Sequence, residues 1–265
     1  MNIGFIGCGN MASAIIDGII KNKFIESKNV YVFDVFSKAM EDAKNKYGVN
    51  TCNNENEIVS NSNIVILAVK PNIISTVLNK IDSILIKKKP LIISIAAGKT
   101  IAFIESNLSD KQRIIRVMPN INAKVGEAMS AYCGNVHTST EDRKTVFEML
   151  NQIGKAIEID ESYFPIFGVL GGCAPAFAYM FIDSIARAGV KNGMKKDDAL
   201  KIAAQTVYGS AKMIMESEEH PWKLIDNVCS PGGTTIEGVT SLQSDGFESA
   251  VCNAVDIALD KDKKL

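Results

Sequence analysis

The chain has 265 residues, of which 46% are hydrophobic and 22% charged, a composition typical of a folded protein and not of a disordered one. Its 29 basic and 30 acidic residues leave a net charge of −1, which argues against nucleic acid or an anionic membrane as a partner. The six cysteines form no Cys-x-x-Cys pair and only two histidines are present, so neither a disulfide scaffold nor a metal centre is predicted. We expect a reduced, cytoplasmic protein of one or two domains.

The first 160 residues alternate between short apolar runs and amphipathic helical patterns. Strands are predicted at 3–6, 30–33, 64–69, 91–95, 114–117, 129–132 and 156–159. Helices are predicted at 11–22, 38–46, 73–85, 101–108 and from about Glu141. Strands that are apolar along their whole length are typical of a parallel sheet covered on both faces. Residues 1–160 are therefore predicted to form an α/β, Rossmann-like domain with a doubly wound parallel sheet.

After residue 160 the strand-like runs stop and long helical patterns follow. They lie at 175–192, 196–217, 222–228, 235–243 and 248–259, so residues 161–265 are predicted to form an all-α domain. The apolar stretch 167–182 contains Pro175 and ends at Asp183. We interpret it as a buried core helix that is too short and too broken to span a bilayer.

A glycine-rich turn follows the first predicted strand and opens the first predicted helix. It reads G-x-G-x-x-A, from Gly7 to Ala12. Gly7 permits the tight turn, Gly9 lets the backbone approach a pyrophosphate, and Ala12 lets helix and strand pack closely. In this context the pattern predicts a dinucleotide-binding turn. The alternative is a purely structural turn between strand and helix.

Asp34 ends the second predicted strand, the position from which dinucleotide-binding folds contact the ribose. A carboxylate there accepts hydrogen bonds from ribose hydroxyls and repels a 2′-phosphate, which favours NADH over NADPH. Lys38, close by in the sequence, would weaken that preference. The alternative is that Asp34 only caps the following helix.

A second polar, glycine-rich turn joins two helices of the C-terminal half, with the sequence S-P-G-G-T-T at 230–235. Backbone N–H groups at the start of a helix, together with hydroxyls, can bind a carboxylate. The alternative is a helix–helix turn with Ser230 as N-cap and Pro231 as the first helical residue. Cys173 and Cys229 flank polar turns without an activating histidine, and we interpret them as small, partly buried side chains.

The motifs and their order resemble the pyrroline-5-carboxylate reductase family. The matching segments run along nearly the whole chain: F-I-G-C-G-N-M-A at 5–12, A-V-K-P at 68–71, S-I-A-A-G at 94–98, R-V-M-P-N at 116–120, A-G-V at 188–190, S-E-E-H-P at 217–221, D-N-V at 226–228 and the turn at 230–235. The S-P-G-G-x-T pattern of that turn is the most specific, because general Rossmann dehydrogenases lack it.

The resemblance implies NAD(P)H-dependent reduction of 1-pyrroline-5-carboxylate to L-proline, the last step of proline biosynthesis. It implies a homodimer, or a larger assembly of dimers, in which residues 161–265 serve as the substrate and dimerisation domain. Thr235 would hydrogen-bond the substrate ring nitrogen as the catalytic residue, and the implied substrate-binding residues are Ser230, Gly233, Thr234, Thr235 and Glu218. The implied cofactor-binding residues are Gly7, Gly9, Asn10, Met11, Ala12, Asp34, Asn54, Ala68, Val69, Lys70, Pro71, Ala96, Ala97, Gly98 and Asn120.

Several positions depart from the family pattern. The usual S-G-S-G-P-A-Y reads G-G-C-A-P-A-F at 171–177, Val35 replaces a common Arg, M-P-N-T-P reads M-P-N-I-N at 118–122, and Glu55, beside Asn54, aligns with an expected Asn. These departures leave open a divergent paralogue that reduces another cyclic imine, and a non-catalytic nucleotide-sensing or assembly protein. A β-hydroxyacid dehydrogenase-like enzyme is a third alternative, but it requires a lysine on the interdomain helix, where only Lys191 stands, at the far end.

Overall fold

A computed structural model describes residues 1–263. They form two compact units, Met1–Gly172 and the residues from Cys173 onward. The units divide within a helical run that extends from Glu161 to Lys191, so helical backbone and not a loop connects them. The last two residues of the domain predicted at 161–265 lie outside the described part of the chain.

The first unit is built around one eight-stranded sheet with the strand order 3-2-1-4-5-6-7-8. Its strands are β1 (Ile3–Ile6), β2 (Val30–Phe33), β3 (Asn50–Thr51), β4 (Ile64–Leu67), β5 (Leu91–Ser94), β6 (Arg113–Met118), β7 (Ala128–Gly134) and β8 (Gly154–Glu158). Neighbouring strands are parallel except β6 and β7, which are antiparallel. The segment that joins them carries only a short 3₁₀ turn, Ile121–Val125, and is too short for the crossover that a parallel pair requires. The predicted α/β fold class is confirmed, with this one antiparallel pair.

Helices cover both faces of the sheet. They are α1 (Asn10–Lys21), α2 (Ser37–Tyr47), α3 (Glu55–Asn61), α4 (Ile74–Lys88), α5 (Ile101–Glu105), α6 (Thr140–Leu150) and α7 (Phe164–Phe167). Ile15, Ile16 and Ile19 of α1 belong to the apolar cluster on one face, and Leu78 and Ile81 of α4 belong to the cluster on the other. Because both faces are buried, the strands carry the continuous apolar runs from which they were predicted.

The second unit is all-helical, as predicted. It comprises α8 (Ala174–Lys191), α9 (Lys196–Glu216), α10 (Pro221–Val228), α11 (Thr234–Ser244) and α12 (Phe247–Asp262). Its buried core is small and consists of Ala186, Ala199 and Ala203, where α8 and α9 approach closely. Large apolar side chains such as Met180, Ile202 and Met215 remain exposed in the single chain.

The interpretation of 167–182 as a buried core helix that is too short to span a bilayer was wrong. The helical run that contains it has 31 residues and is apolar enough to cross a membrane by length and composition alone, but only 11% of its most apolar window is buried. Pro175 lies in the first turn of α8 and does not break the run. A π-helical turn, Gly168–Cys173, precedes α8.

Three of the six cysteines are buried, and burial raises the pKa of Cys8, Cys52 and Cys133 to about 12, about 11 and about 12. Cys229 is half-buried as expected, whereas Cys173 is exposed and its predicted partial burial was wrong. Because the thiolate is the reactive form, a thiol reagent such as dithionitrobenzoate at pH 8 should label at most Cys173, Cys229 and Cys252 in the folded protein. All six thiols should react after denaturation. Rapid labelling of a fourth thiol without unfolding would contradict this arrangement.

Candidate active site

The glycine-rich turn between β1 and α1 has the geometry of an anion cradle. Gly7 has φ +104°, and a Cβ atom there would lie 2.5 Å from the carbonyl oxygen of Ala68, so only glycine fits. Gly9 has φ −70° and open space where its Cβ would be. It is the N-cap of α1, and no side chain caps that helix, so the N–H groups of the first turn are available to an anion.

Asp34 ties this turn to the turn that follows β2. One carboxylate oxygen accepts a hydrogen bond from the backbone N–H of Cys8 at 2.8 Å, and the other accepts from the N–H of Phe36 at 2.9 Å. Helix α2 begins at Ser37 with Phe36 as its N-cap, so Asp34 is not the capping residue and that alternative was wrong. A negative charge therefore sits at the end of β2, as predicted. Lys38 is paired with Asp42 of its own helix at 3.2 Å.

The remaining predicted coenzyme residues of the first unit follow the carboxyl ends of parallel strands. Ala68, Val69, Lys70 and Pro71 follow β4, and Ala96, Ala97 and Gly98 follow β5. The carboxyl ends of β1, β4, β5 and β6 lie at one edge of the sheet, where doubly wound folds bind their ligands. The fold therefore brings these residues to the same edge as Gly7 and Gly9. Lys70, Ala97 and Gly98 are exposed there, whereas Ala12 is buried under the turn.

The side chains of Asn54 and Glu55 have different surroundings. Asn54 is exposed and caps α3 by accepting a hydrogen bond from the N–H of Glu57 at 3.0 Å. Glu55 is buried and pairs with Lys80 at 3.1 Å. Of the two residues, Asn54 is therefore the one that the structure leaves accessible to a ligand.

Asn120 follows β6 and is only 6% exposed. Its side-chain nitrogen donates to the carbonyl oxygen of Gly171 at 2.9 Å, and its side-chain oxygen accepts from the N–H of Met129 at 3.3 Å. Both ends of the amide are thus engaged by the protein itself. The family resemblance implies that Asn120 lies near the nicotinamide end, but it does not identify Gly171 and Met129 as its partners.

The turn at 230–235 in the second unit has a similar cradle geometry. Helix α11 begins at Thr234, its N-cap is Gly233, and no side chain caps it. The alternative with Ser230 as N-cap and Pro231 as the first helical residue was therefore wrong. The backbone carbonyl oxygen of Ser230 instead accepts a hydrogen bond from the N–H of Gly233 at 3.0 Å, and a Cβ on Gly233 would lie 2.3 Å from the hydroxyl oxygen of Ser230. Uncapped N–H groups and the exposed hydroxyls of Ser230, Thr234 and Thr235 suit a carboxylate ligand.

Glu218 and His220 lie on the segment between α9 and α10, and both are exposed. The Nδ1 atom of His220 accepts a hydrogen bond from the N–H of Trp222 at 3.3 Å and so caps α10. His220 therefore has a local structural role, and the carboxylate of Glu218 remains accessible.

Comparison with known proteins assigns the chain to a family. The sequence model described as pyrroline-5-carboxylate reductase dimerisation matches residues 161–265, and the one described as NADP oxidoreductase coenzyme F420-dependent matches residues 2–98. A pyrroline-5-carboxylate reductase of Methanosarcina acetivorans is 40% identical over 99% of this chain and 97% of its own length. The chain belongs to the pyrroline-5-carboxylate reductase family.

Further members of the family agree along the whole chain. The Escherichia coli pyrroline-5-carboxylate reductase is 40% identical over 99% of this chain and 97% of its own length. Among solved structures, the pyrroline-5-carboxylate reductase of Coxiella burnetii aligns with 99% of this chain over 97% of its own length, with a TM-score of 0.95 and 30% identity. The pyrroline carboxylate reductase of Plasmodium falciparum, solved with NADP bound, aligns with 100% of this chain over 97% of its own length, with a TM-score of 0.86 and 35% identity. The chain is accordingly an NAD(P)H-dependent oxidoreductase of proline biosynthesis that acts on a C=N group.

Proposed function

We propose that the two cradles divide the work of reducing 1-pyrroline-5-carboxylate to L-proline. The turn at Gly7–Ala12 would hold the coenzyme, and the start of α11 would hold the substrate carboxylate. The observation that carries the proposal is that α1 and α11 both begin without a side-chain cap directly after a glycine-rich turn, in a chain of this family. Each predicted domain would then carry one cradle: residues 1–160 the one for the dinucleotide, and residues 161–265, which also serve dimerisation, the one for the substrate.

The residues of the first cradle fit a dinucleotide. A Cβ on Gly9 would occupy the open space above the turn, so the absence of that atom leaves room for a pyrophosphate. The N–H groups at the start of α1 point to the same space and favour negative charge. Ala68–Pro71, Ala96–Gly98 and the segment around Asn120 would border the nicotinamide end, and Asn54 and Asp34 the adenosine end. When bound, NAD(P)H supplies the hydride.

The second cradle would hold and orient the imine. The N–H groups of Thr234 and Thr235, with the hydroxyl of Ser230, would bind the substrate carboxylate, and Glu218 would contribute from its exposed segment. The Thr235 hydroxyl would hydrogen-bond the ring nitrogen and keep a proton there while the adjacent carbon accepts hydride. A protonated imine accepts hydride readily, so the main contribution of the protein would be alignment.

We further propose that the protein prefers NADH. Both oxygens of Asp34 hold backbone N–H groups, which keeps a carboxylate at the end of β2, beside the position of a 2′-phosphate. Lys38, the nearby cation, is already paired with Asp42. Val35 stands where the family pattern leads us to expect an Arg, so residue 35 offers no guanidinium to a phosphate.

A spectrophotometric assay tests the function. Purified protein is mixed with NADH or NADPH and with pyrroline-5-carboxylate, a 3-keto acid, or buffer. We expect coenzyme oxidation with pyrroline-5-carboxylate only, and a higher kcat/KM with NADH. Turnover of the 3-keto acid would favour the dehydrogenase alternative, and no turnover with either substrate would favour the non-catalytic one.

Replacing Asp34 by asparagine should shift the coenzyme preference toward NADPH. The substitution removes the charge that repels a 2′-phosphate, and it also removes one of the two hydrogen bonds that Asp34 accepts, a loss that affects both coenzymes alike and therefore cancels in their ratio. The ratio of kcat/KM for NADPH to that for NADH should rise ~10-fold, which corresponds to about 1.4 kcal/mol of lost repulsion. Glu41→Gln is the matched control, because it removes one exposed carboxylate from the adjacent helix and should leave the ratio unchanged. An unchanged ratio in Asp34→Asn would contradict the proposed preference.

We propose that the protein is a homodimer in the cytoplasm. The second unit has a buried core of three alanines and many exposed large apolar side chains, which a second copy would cover. The family model for this region is described as a dimerisation model. Sedimentation equilibrium tests the proposal, and a monomer at micromolar concentration would contradict it.

A further inference from the structure

The π-helical turn Gly168–Cys173, which precedes α8, contains a carbonyl group that the helix cannot satisfy in the ordinary way. In an α-helix the carbonyl oxygen of residue 171 would accept a hydrogen bond from the N–H four residues later. That residue is Pro175, which has no N–H. A buried carbonyl that is left without a donor costs free energy, and Gly171 is buried.

The missing donor comes from another part of the chain. The side-chain nitrogen of Asn120 donates to the carbonyl oxygen of Gly171 at 2.9 Å, and the same side chain accepts from the N–H of Met129. One buried amide therefore joins the end of β6, the start of β7 and the π-helical turn. This contact also places the turn at the carboxyl edge of the sheet, because Asn120 directly follows that end of β6.

The π-helical turn exposes backbone atoms at the carboxyl edge of the sheet. A Cβ on Gly171 would lie 3.1 Å from the ring of Phe167, whereas Gly172 is exposed and has open space around the position of its missing Cβ. The position of the exposed backbone therefore depends on what holds the turn. π-Helical turns are frequent at functional sites.

We propose that Asn120 is a positioning residue that replaces the hydrogen bond lost to Pro175, and that it thereby fixes the π-helical turn beside the site of hydride transfer. The kinetic part of this inference rests on the proposed function. Because both ends of the Asn120 amide are engaged by Gly171 and Met129, its side chain would act on the reaction through Gly171 and Gly172, and not as one of the cofactor-binding residues that the family resemblance implies.

A double-mutant cycle tests the proposal. Wild type, Asn120→Ala, Pro175→Ala and the double variant are compared by kcat and KM for pyrroline-5-carboxylate, by coenzyme Kd from calorimetry, and by thermal midpoint. Asn120→Ala should lower kcat ~10- to 100-fold, since small misplacements at a reacting centre have effects of that order, and should change coenzyme Kd less than ~3-fold. Pro175→Ala should remain close to wild type.

The double variant decides the outcome. With alanine at position 175, an N–H can donate to Gly171, so most of the lost kcat and of the lost thermal midpoint should return, and the two substitutions should not be additive. Additive losses, or a loss confined to coenzyme Kd, would overturn the proposal. If Asn120→Ala does not fold, a folded double variant is still expected, and an unfolded one would overturn it.

Asn120→Asp is a further control with the same shape. It keeps an acceptor for Met129 but places a carboxylate oxygen against the carbonyl of Gly171, so it should behave like Asn120→Ala, and wild-type kcat would overturn the proposal. If the wild-type protein does not reduce pyrroline-5-carboxylate, the proposed function fails. The thermal midpoints of the cycle then still show whether residues 120 and 175 are coupled.

Discussion

Thr235→Ala is expected to lower kcat ~100-fold, the lower end of what a positioned proton donor contributes, and to leave coenzyme affinity unchanged. The substitution removes the hydroxyl that we assign to the ring nitrogen. It leaves the backbone N–H groups of α11 in place, so carboxylate binding and KM should change less than kcat. Steady-state kinetics with pyrroline-5-carboxylate and coenzyme titration by calorimetry measure the two quantities separately.

Two features make this substitution a clean test. Thr235 is exposed, and the N-cap of α11 is Gly233, so the hydroxyl of residue 235 does not cap the helix. Alanine also has a higher helix propensity than threonine, so the thermal midpoint should not fall. Thr235→Ser keeps a hydroxyl and should retain most of the activity. Equal losses of turnover and coenzyme affinity in Thr235→Ala would show that the residue is structural.

Gly9→Val is expected to weaken coenzyme binding ~100-fold while leaving the folded state intact, a loss that corresponds to about 2.7 kcal/mol. Gly9 has φ −70°, and apart from its chain neighbours no protein atom lies within 4 Å of the position of its missing Cβ, so the fold leaves space where the new side chain begins. It would instead fill the space above the first turn of α1, where the pyrophosphate is expected. Calorimetric titration with NADH and NADPH measures the effect.

Gly7→Ala is the contrasting variant in the same turn. Its Cβ would lie 2.5 Å from a backbone oxygen in a region of positive φ, so it should destabilise the protein by about 1–3 kcal/mol. Chemical denaturation distinguishes the two variants. If Gly9→Val lowers the free energy of unfolding as much as Gly7→Ala does, the space beside Gly9 is not open.

The parts of the fold that the sequence predicts well are those in which one local pattern has one structural meaning. The continuous apolar runs at 3–6 and 64–69 predict buried strands, and both strands occur, the second of them ending at Leu67. The direction of β7 was not predictable from its burial, because an inner antiparallel strand is as apolar as a parallel one. The short connection between β6 and β7 was the signal available in the sequence.

Helix α8 shows a different limit of sequence analysis. Its apolar composition is compatible with a core helix, with a membrane span and with a helix that packs against another chain. Only the small buried fraction of this helix within the described residues distinguishes the first of these from the others. Composition measures how apolar a segment is, but it does not say what the segment contacts.

Within the candidate site, the motif positions were predictable and the contacts between them were not. The G-x-G-x-x-A pattern identified Gly7, but its reason for being glycine is the carbonyl of Ala68, which comes close only in the folded sheet. The bond from Asn120 to Gly171 joins residues 51 positions apart. A proline four residues after Gly171 was the local sign that this carbonyl would need a distant donor.

The two uncapped helix starts also have a consequence for the lifetime of the protein. If the backbone N–H groups at these helix starts bind the coenzyme and the substrate carboxylate as proposed, we expect the loaded protein to be more resistant to unfolding than the empty one. At a ligand concentration ~100 times Kd, mass action adds about 2.7 kcal/mol. Proteolysis that acts through the unfolded state should then be slower for the loaded protein than for the empty one.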